Sequence, residues 1–424
     1  MIKQHWIAFP ALLLAGSLSA QSKHSASSRF PSYKGLVMAG YQGWFNTPDD
    51  GAGRGWTHYV AHGDFGPGNC KVDLWPDVSE YKKTYVTPFK TADSLPAYLF
   101  SSYDASTTDL HFKWMEEYGV DGVFVQRFIG STRGGKVLAH NDKVMEQALN
   151  ASRKYERAIA VMYDLSGMKD DDKDPETVIN DWKHLVDDLK LTSRGEKQTY
   201  LYHNGKPLVA VWGVGFPGRS YGLKGVEKIV DFLKNDPVYG GCSVLLGVPT
   251  YWRDFGNDAV SDPHFHDLLR KADIVQPWFV GRYNETSYAK FAPRIKADMD
   301  WCRQNKVDYV PVVFPGFSWH NMYPNSPQNQ IPRDRGQFYW KQLTGAISMG
   351  VDMLYIAMFD EIDEGTAIFK ISKNPPVGAS RFVSPESDIP GDYYLFLTGY
   401  AAKMLRKKIP LQENIPAMTI SIKE

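Results

Sequence analysis

Cysteine is scarce in this sequence of 424 residues, which contains only Cys70, Cys242 and Cys302. Three cysteines do not make a disulfide framework, and the odd number leaves at least one thiol free or paired between chains. Cys242 begins an apolar run and is most simply a small buried residue. The sequence therefore excludes the small secreted folds whose stability depends on several disulfides.

An excess of charge of either sign is also missing. The 48 basic and 48 acidic side chains balance, and no stretch of the chain is rich in Lys or Arg. Proteins that hold nucleic acid or an anionic membrane by electrostatic attraction need such a basic surface. We therefore expect no nucleic-acid partner.

Long apolar runs are absent after the N-terminus, so we expect no membrane insertion. Residues 1–20 combine Lys3, the apolar run "WIAFPALLLAG" and small residues near Ala20, a pattern typical of a secretory signal peptide. Ser17 stands where a bacterial lipoprotein would carry its lipidated cysteine. We therefore expect an exported, soluble monomer in the periplasm or outside the cell.

Eight short apolar runs of strand length alternate with longer amphipathic segments. Near-continuous Val, Ile and Leu indicate parallel strands covered on both faces. The pattern predicts a (β/α)₈ barrel, a TIM barrel, as a single domain over residues 35–424, after a linker at residues 21–34. A doubly wound open sheet is the alternative, but the first strand lacks a G-x-G-x-x-G motif. The runs begin at Gly35, Gly119, Ala158, Pro207, Cys242, Ala272, Asp308 and Asp352.

The connection between the first strand and the first helix is unusually long. It runs from about Phe45 to Ala105 and mixes Gly and Asp with Trp56, His58 and Trp75. Loops of this length without regular structure are commonly functional or disordered. We predict that this long β1–α1 loop forms an ordered cap over one mouth of the barrel.

Aromatic residues are abundant, at 14% of the chain with 12 Trp. In (β/α)₈ barrels the active site lies at the carboxyl ends of the strands. Those ends are rich here in amide and aromatic groups and poor in cations, which is typical of a sugar-binding site. We therefore predict a carbohydrate substrate, bound by Tyr41, Gln42, Trp44, His58, Gln126, Arg127, Asp164, Trp212, Tyr251, Trp252, Gln276, Trp278 and Trp319.

Four carboxylates crowd into the segment after the eighth apolar run, "MFDEIDEGTAIF". A solvated acidic turn or a Ca²⁺ site could have this composition, although the spacing is not that of an EF-hand loop. Glycoside hydrolysis also needs two carboxyl groups, and crowding raises the pKa of one of them. The position at a strand end favours catalysis by Glu361 and Glu364, and we expect no metal or other cofactor.

The segment "FDEIDEGTAIF" resembles the motif of glycoside hydrolase family 99, in outline Asn-Glu-Trp-x-Glu-Gly-Thr-x-Ile. The stretches "GLVMAGYQGWF", "GWTHY" and "LHFKWMEEYGVDGVFVQRF" are similar to the opening strand, the Trp/His-bearing loop and the first helix–strand unit of that family. Related family 71 and WbsX-type proteins have similar endings. Asp360, Ile362 and Asp363 depart from the motif, and the lost Trp puts mannose specificity in question.

The resemblance implies a retaining glycosidase that works without metal and forms a 1,2-anhydro sugar intermediate. It implies that Glu361 draws the proton from the sugar 2-hydroxyl and that Glu364 protonates the leaving oxygen. We expect an exported glycoside hydrolase that cleaves a polysaccharide or oligosaccharide, similar to endo-α-mannosidases or to bacterial proteins labelled xylosidase/arabinosidase. A catalytically silent barrel that binds glycans is the alternative.

Overall fold

The computed structural model describes residues 22–193, 195 and 198–418. The predicted signal peptide, residues 1–20, lies outside the described residues. The strands are β1 (Val37–Tyr41), β2 (Tyr85–Lys90), β3 (Pro96–Leu99), β4 (Gly122–Phe128), β5 (Ala158–Asp164), β6 (Tyr202–His203), β7 (Lys206–Trp212), β8 (Ser243–Val248), β9 (Ile274–Pro277), β10 (Asp308–Tyr309), β11 (Val312–Val313) and β12 (Leu354–Ile356).

Helices follow the strands in regular alternation. They are α1 (Ala105–Tyr118), α2 (Gly135–Lys154), α3 (Asp174–Asp187), α4 (Leu223–Asn235), α5 (His264–Lys271), α6 (Tyr288–Gln304), α7 (Gln337–Ser348) and α8 (Tyr393–Leu405). In α1, Leu110 and Trp114 form a buried face, and the helix ends at Gly119, whose left-handed backbone (φ 81°) lets its N–H bond to the Met115 carbonyl. The hydrophobic period of the sequence therefore matches the helix that forms.

The parallel strands close into a barrel. Their order is β9-β8-β7-β5-β4-β1-β12, and β10 pairs with β9 while β11 pairs with β12. Only Val310 and Pro311 separate β10 from β11, and both bond sideways, Val310 N–H to Val275 O at 3.1 Å and Tyr355 N–H to Pro311 O at 3.2 Å. The seventh strand is thus split by a proline and completes the ring. The predicted (β/α)₈ barrel is confirmed.

Side chains alternate between the barrel interior and the helices, as the period of two in a strand requires. Gln126 and Arg127 show this at the end of β4. Gln126 Nε2 donates to Tyr355 Oη of β12, across the interior, at 3.0 Å. Arg127 Nε donates to Asp181 Oδ2 of α3, between sheet and helix, at 2.7 Å. Gln126 therefore faces the barrel interior, whereas Arg127, the next residue, faces the surrounding helices.

The long β1–α1 loop is ordered by its own aromatic core and by contacts with the acidic segment. It contains the antiparallel β2–β3 hairpin, and Phe45, Tyr59 and Phe100 pack ring against ring. The backbone N–H groups of Asp73 and Leu74 both donate to Ile362 O, at 3.0 and 3.1 Å. The loop therefore lies over the carboxyl end of the last strand.

Residues 22–34, for which the sequence predicted a linker, pack against the barrel. Lys23 N–H donates to Val238 O, and Ser25 N–H donates to Thr192 O. Tyr33 is fully buried and its hydroxyl donates to Leu354 O at 2.8 Å. Because its polar backbone groups find partners on the barrel, this segment is part of the packed domain rather than a free linker.

All three cysteines are described; they are buried and unpaired with one another. Among the residues that the structure describes, no helix is long and apolar enough to cross a membrane.

Candidate active site

A cavity of about 380 Å³ opens at the carboxyl ends of the strands. Strand ends supply most of its wall, and the long β1–α1 loop supplies the rest. This is the place where (β/α)₈ barrels keep their chemistry. The lining residues are Gln42, Trp44, His58, Lys71, Gln126, Phe128, Met162, Asp164, Ser166, Trp212, Trp278, Met358, Glu361 and Glu364.

Glu361 lies in this cavity five residues after β12 and is held by two donors. Gln42 Nε2 donates to its Oε1 at 2.8 Å, and Thr366 Oγ1 donates to its Oε2 at 3.1 Å. Burial, followed by the negative charge of Glu364, raises the pKa of Glu361 well above its ordinary range, against the effect of these two bonds. The carboxyl group is therefore fixed in orientation and sensitive to the charge of its neighbour.

Glu364 reaches the same cavity three residues later, and part of its surface stays exposed there. Burial and the negative charge of Asp363 raise the pKa of Glu364 to about 7, while the positive charge of Lys71 lowers it. Glu361 and Glu364 repel each other when both are charged, so the two carboxyl groups titrate as a pair, and loss of one proton makes the other harder to remove. One carboxylic acid and one carboxylate in a single cavity are the groups that acid–base catalysis uses.

The other two carboxylates of the acidic segment face away from the cavity. Asp360 is fully buried and accepts the backbone N–H groups of Gln42 and Gly43 at 2.7 and 2.8 Å, which ties the start of the long loop to the end of β12. Asp363 faces His58, with 3.5 Å between Oδ2 and Nδ1. Two of the four acids thus line the cavity, and the other two are bonded outside it, which differs from the solvated turn considered from the sequence.

Aromatic rings form two opposite parts of the wall. Trp44 stacks on His58 with ring centroids 3.8 Å apart and planes 6° apart. Trp212 meets Trp278 edge to face at 5.5 Å. The Trp212 ring lies flat over Gly247 of β8, where an added Cβ would come within 2.5 Å of the indole. Flat apolar faces of this kind are suited to stacking against the apolar faces of sugar rings.

Several polar atoms in and below the cavity have no partner among the described residues. They are Gln42 Oε1, the indole nitrogens of Trp44 and Trp212, and both amide atoms of Gln276. Leaving a buried donor or acceptor unpaired costs about 1–3 kcal/mol, so such atoms are normally satisfied by water or ligand. Such atoms also occur elsewhere among the described residues, so those around the cavity are compatible with bound water or with a polar ligand.

Asp164 adds a third carboxyl group at the end of β5. Ser166 N–H donates to its Oδ1 at 2.6 Å, and burial raises its pKa to about 6. Asp164 lies in the sheet between Phe128 and Trp212, which also line the cavity. Its other oxygen, Oδ2, can therefore accept a hydrogen bond from a bound hydroxyl group.

Nine of the residues predicted from the sequence line the cavity. They are Gln42, Trp44, His58, Gln126, Asp164, Trp212, Trp278, Glu361 and Glu364. The structure brings them together from six different strand ends and the long loop. Six other predicted residues lie elsewhere.

Three of those six are buried near the cavity but do not line it. Tyr41 points toward the helices and meets His111 Nδ1 at 2.9 Å. Arg127 forms its ion pair with Asp181. Gln276 lies beside Gly247 in the sheet and is fully buried. Tyr41 and Arg127 lie outside the cavity lining because each is one residue out of phase with the inward face of its strand.

The remaining three belong to loops whose side chains do not line the cavity. Tyr251 carries the guanidinium of Arg294 over its ring at 4.3 Å. Trp252 is fully buried and packs against Trp301 of α6 at 4.8 Å. Trp319 lines a separate surface cavity. The strand before Tyr251 and Trp252 ends at Val248, so the period of the strand does not set the direction of these two side chains.

Five lining residues were not predicted: Lys71, Phe128, Met162, Ser166 and Met358. Phe128 and Met162 lie on the inward faces of β4 and β5, in phase with Gln126 and Asp164, so the strand period could have identified them. Lys71 comes from irregular chain, where no period indicates which side chains meet the glutamates.

Comparisons with known proteins agree with this architecture. The family 99 endo-α-mannosidase of Bacteroides thetaiotaomicron superposes with a TM-score of 0.62 at 16% identity, covering 88% of this chain and 98% of that one. A second structure of that enzyme, in complex with bis-tris-propane, gives 0.61 at 17% identity. The chain has the family 99 fold.

Matches in sequence are shorter. The mouse glycoprotein endo-α-1,2-mannosidase-like protein is 29% identical over 119 residues, 28% of this chain and 26% of its own length. The mouse glycoprotein endo-α-1,2-mannosidase is 27% identical over 139 residues, 29% of this chain and 30% of its own length. This chain thus matches between a quarter and a third of those relatives. No family model matches it. The resemblance to family 99 that the acidic motif indicated is confirmed.

Proposed function

We propose that this protein is an endo-α-mannosidase-like glycoside hydrolase in which Glu361 and Glu364 are the catalytic pair. One observation carries the proposal: both glutamates line a single cavity at the carboxyl mouth of a family 99-type barrel, and both have raised pKa values. The relatives named above are endo-α-mannosidases, which suggests α-mannosyl chains as the substrate class.

The first half of the reaction forms a 1,2-anhydro sugar. Glu361 removes the proton from the 2-hydroxyl group, O2 attacks C1, and the bond from C1 to the leaving oxygen breaks. Glu364 gives its proton to that oxygen as it leaves. Gln42 and Thr366 both donate to the Glu361 carboxylate, which holds it in one orientation and partly opposes the rise of its pKa caused by burial and by Glu364.

The second half opens the anhydro ring with water. Glu364, now a carboxylate, removes a proton from water, and the water oxygen attacks C1 while the C1–O2 bond breaks. Glu361 returns its proton to O2, which restores both side chains. Two successive inversions at C1 give net retention of configuration.

The rest of the cavity suits recognition of the sugar. Trp44, Trp212 and Trp278 offer aromatic surfaces to the ring, and Gln126 and Asp164 can bond its hydroxyl groups. Ile362, which replaces the family Trp, is fully buried, and its carbonyl anchors the long loop. Ile362 does not line the cavity, so a mannose-type ring would be held by the other residues of its wall. With the predicted signal peptide, we place this activity outside the cytoplasm.

The test is incubation of the purified protein with α-mannans, other polysaccharides and aryl glycosides, with NMR detection of the first anomer released. The proposal expects cleavage within α-mannosyl chains and release of the α-anomer before mutarotation. Release of the β-anomer would contradict the anhydro-sugar route. Tight glycan binding without cleavage by the wild type would instead favour the silent binding barrel.

A further inference from the structure

A second cavity, of about 360 Å³, lies in the loop that follows β11. Because this loop leaves the carboxyl end of a barrel strand, the cavity opens on the same face as the catalytic one. One short piece of chain forms it entirely. We call it the Trp319 pocket; its lining residues are Trp319, Met322, Tyr323, Pro324, Asn325 and Ser326.

Two aromatic rings dominate the Trp319 pocket. Trp319 and Tyr323 meet with centroids 4.8 Å apart and planes at 66°, which presents two surfaces at an angle. Packing against Phe317 accounts for the inner edge of Trp319. It does not account for Tyr323, whose surface is 51% exposed. Together the two rings form an apolar patch rimmed by polar residues, and such patches can mark ligand-binding grooves.

The indole nitrogen of Trp319 supplies an independent observation. It is buried and has no hydrogen-bond partner among the described residues. A buried indole N–H normally finds an acceptor. Asn325 adds an amide to the same lining. The pocket thus combines flat aromatic surface with an amide side chain, a composition suited to a sugar ring.

The pocket is fixed in place relative to the catalytic glutamates. Ser318 N–H, next to Trp319, donates to the Glu364 carbonyl at 3.0 Å. On the other side, Asp73 of the long loop accepts the backbone N–H groups of His320 and Asn321 at 2.9 and 2.8 Å. The chain that forms the pocket is therefore bonded both to a catalytic residue and to the loop that lines the catalytic cavity.

We propose that the Trp319 pocket is a remote saccharide subsite, which binds a sugar unit of the same chain whose scissile bond lies at Glu361 and Glu364. This inference rests on the proposed function and extends it to a preference for longer glycans. Trp319 and Tyr323 would stack on the apolar face of the sugar, and the Asn325 amide would bond its hydroxyl groups. Its connection to Glu364 through Ser318 favours a saccharide over an unrelated partner.

The experiment compares linear α-mannan oligosaccharides with a short aryl mannobioside in wild type, Trp319→Ala and Tyr323→Ala. Tyr98→Ala is the matched control, because Tyr98 is a 40% exposed ring on the β2–β3 hairpin and lines neither cavity. Tyr323→Ala removes an exposed ring and guards against misfolding of the Trp319 variant, and thermal unfolding of each variant is recorded. Calorimetric binding of the same oligosaccharides is measured in parallel.

We expect KM for the long chains to rise roughly 5- to 10-fold in both pocket variants, because loss of a stacking ring weakens the affinity for the glycan by about that factor. kcat, and KM for the mannobioside, should not change, and Tyr98→Ala should resemble wild type. The subsite would be overturned if the pocket variants and wild type had the same KM for long chains. It would also be overturned if KM changed equally for long and short substrates. If wild type cleaves nothing, the proposed function fails. Weaker binding of long chains in the pocket variants would still support the subsite, and unchanged or absent binding would overturn it.

Discussion

Gln42 Nε2 donates a hydrogen bond of 2.8 Å to Glu361 Oε1 and so joins the end of the first strand to the end of the eighth. These residues are far apart in sequence and meet only because the barrel closes between β1 and β12. The other amide atom, Gln42 Oε1, is buried without a partner. Gln42 therefore orients the proposed base through one of its two amide atoms.

Replacement of Gln42 by Leu should lower kcat/KM by roughly 10- to 100-fold. The variant removes a hydrogen bond to a charged group, worth about 1.5–3 kcal/mol, and so raises the pKa of the proposed base further. Steady-state kinetics on the cleaved glycan measures the effect. Tyr41→Phe is the control, since Tyr41 faces His111 instead of the cavity. Equal kcat/KM values for Gln42→Leu and wild type would contradict the proposal that Gln42 orients Glu361.

Charges beside Glu364 should move the alkaline limb of the pH–rate profile in opposite directions. Deprotonation of Glu364, whose pKa is raised to about 7, should reduce activity as the pH rises through that value. Lys71→Met removes a positive charge that lowers this pKa, so the limb should move to higher pH. Asp363→Asn removes a negative charge that raises it, so the limb should move to lower pH.

Profiles of kcat between about pH 5 and pH 9 for wild type and both variants decide this prediction. Measurement at high and low salt separates local charge from bulk screening, because partly buried charges are screened less. If the alkaline limb moved in the same direction in Lys71→Met and in Asp363→Asn, Glu364 would not be the acid observed in the profile.

Adjacent residues of β4 should separate stability from catalysis. Arg127→Met leaves Asp181 buried without its partner and should lower the free energy of unfolding by about 3–5 kcal/mol. Because Arg127 lies outside the cavity, kcat of the folded fraction should stay near the wild-type value. Gln126→Leu should do the reverse, raising KM with a smaller change in stability. Urea unfolding and kinetics on both variants test the pair.

Much of the fold could be predicted from composition and period. Each of the eight apolar runs contains a barrel strand, and the stop at Gly119 ends α1 as expected. The split of the seventh strand at Pro311 was not foreseen. The first half of this strand, β10, pairs with β9, and the second half, β11, pairs with β12. This division follows from closure of the barrel and not from the local sequence.

The site was predictable to the extent that strand ends identify it. Glu361, Glu364 and Gln42 stand at such ends and line the cavity. The sequence alone could not decide whether Gln126 or Arg127 faces the cavity. It does not fix the register of the strand, and a shift of one residue exchanges the inward and outward faces. Lys71 lies in irregular chain and approaches Glu364 only through the packing of the long loop on Ile362.

The central claim is that Glu364 is the acid and Glu361 the base of one cleavage reaction. Cleavage of an α-mannan oligosaccharide, and of an aryl α-mannoside whose leaving group needs no proton, tests it in Glu364→Gln and Glu361→Gln. Glu364→Gln should lose roughly 10²-fold or more on the oligosaccharide and keep much of its rate on the aryl substrate. Glu361→Gln should lose as much on both. Near-wild-type rates on the oligosaccharide in either variant, or equal losses on both substrates in Glu364→Gln, would contradict the assignment.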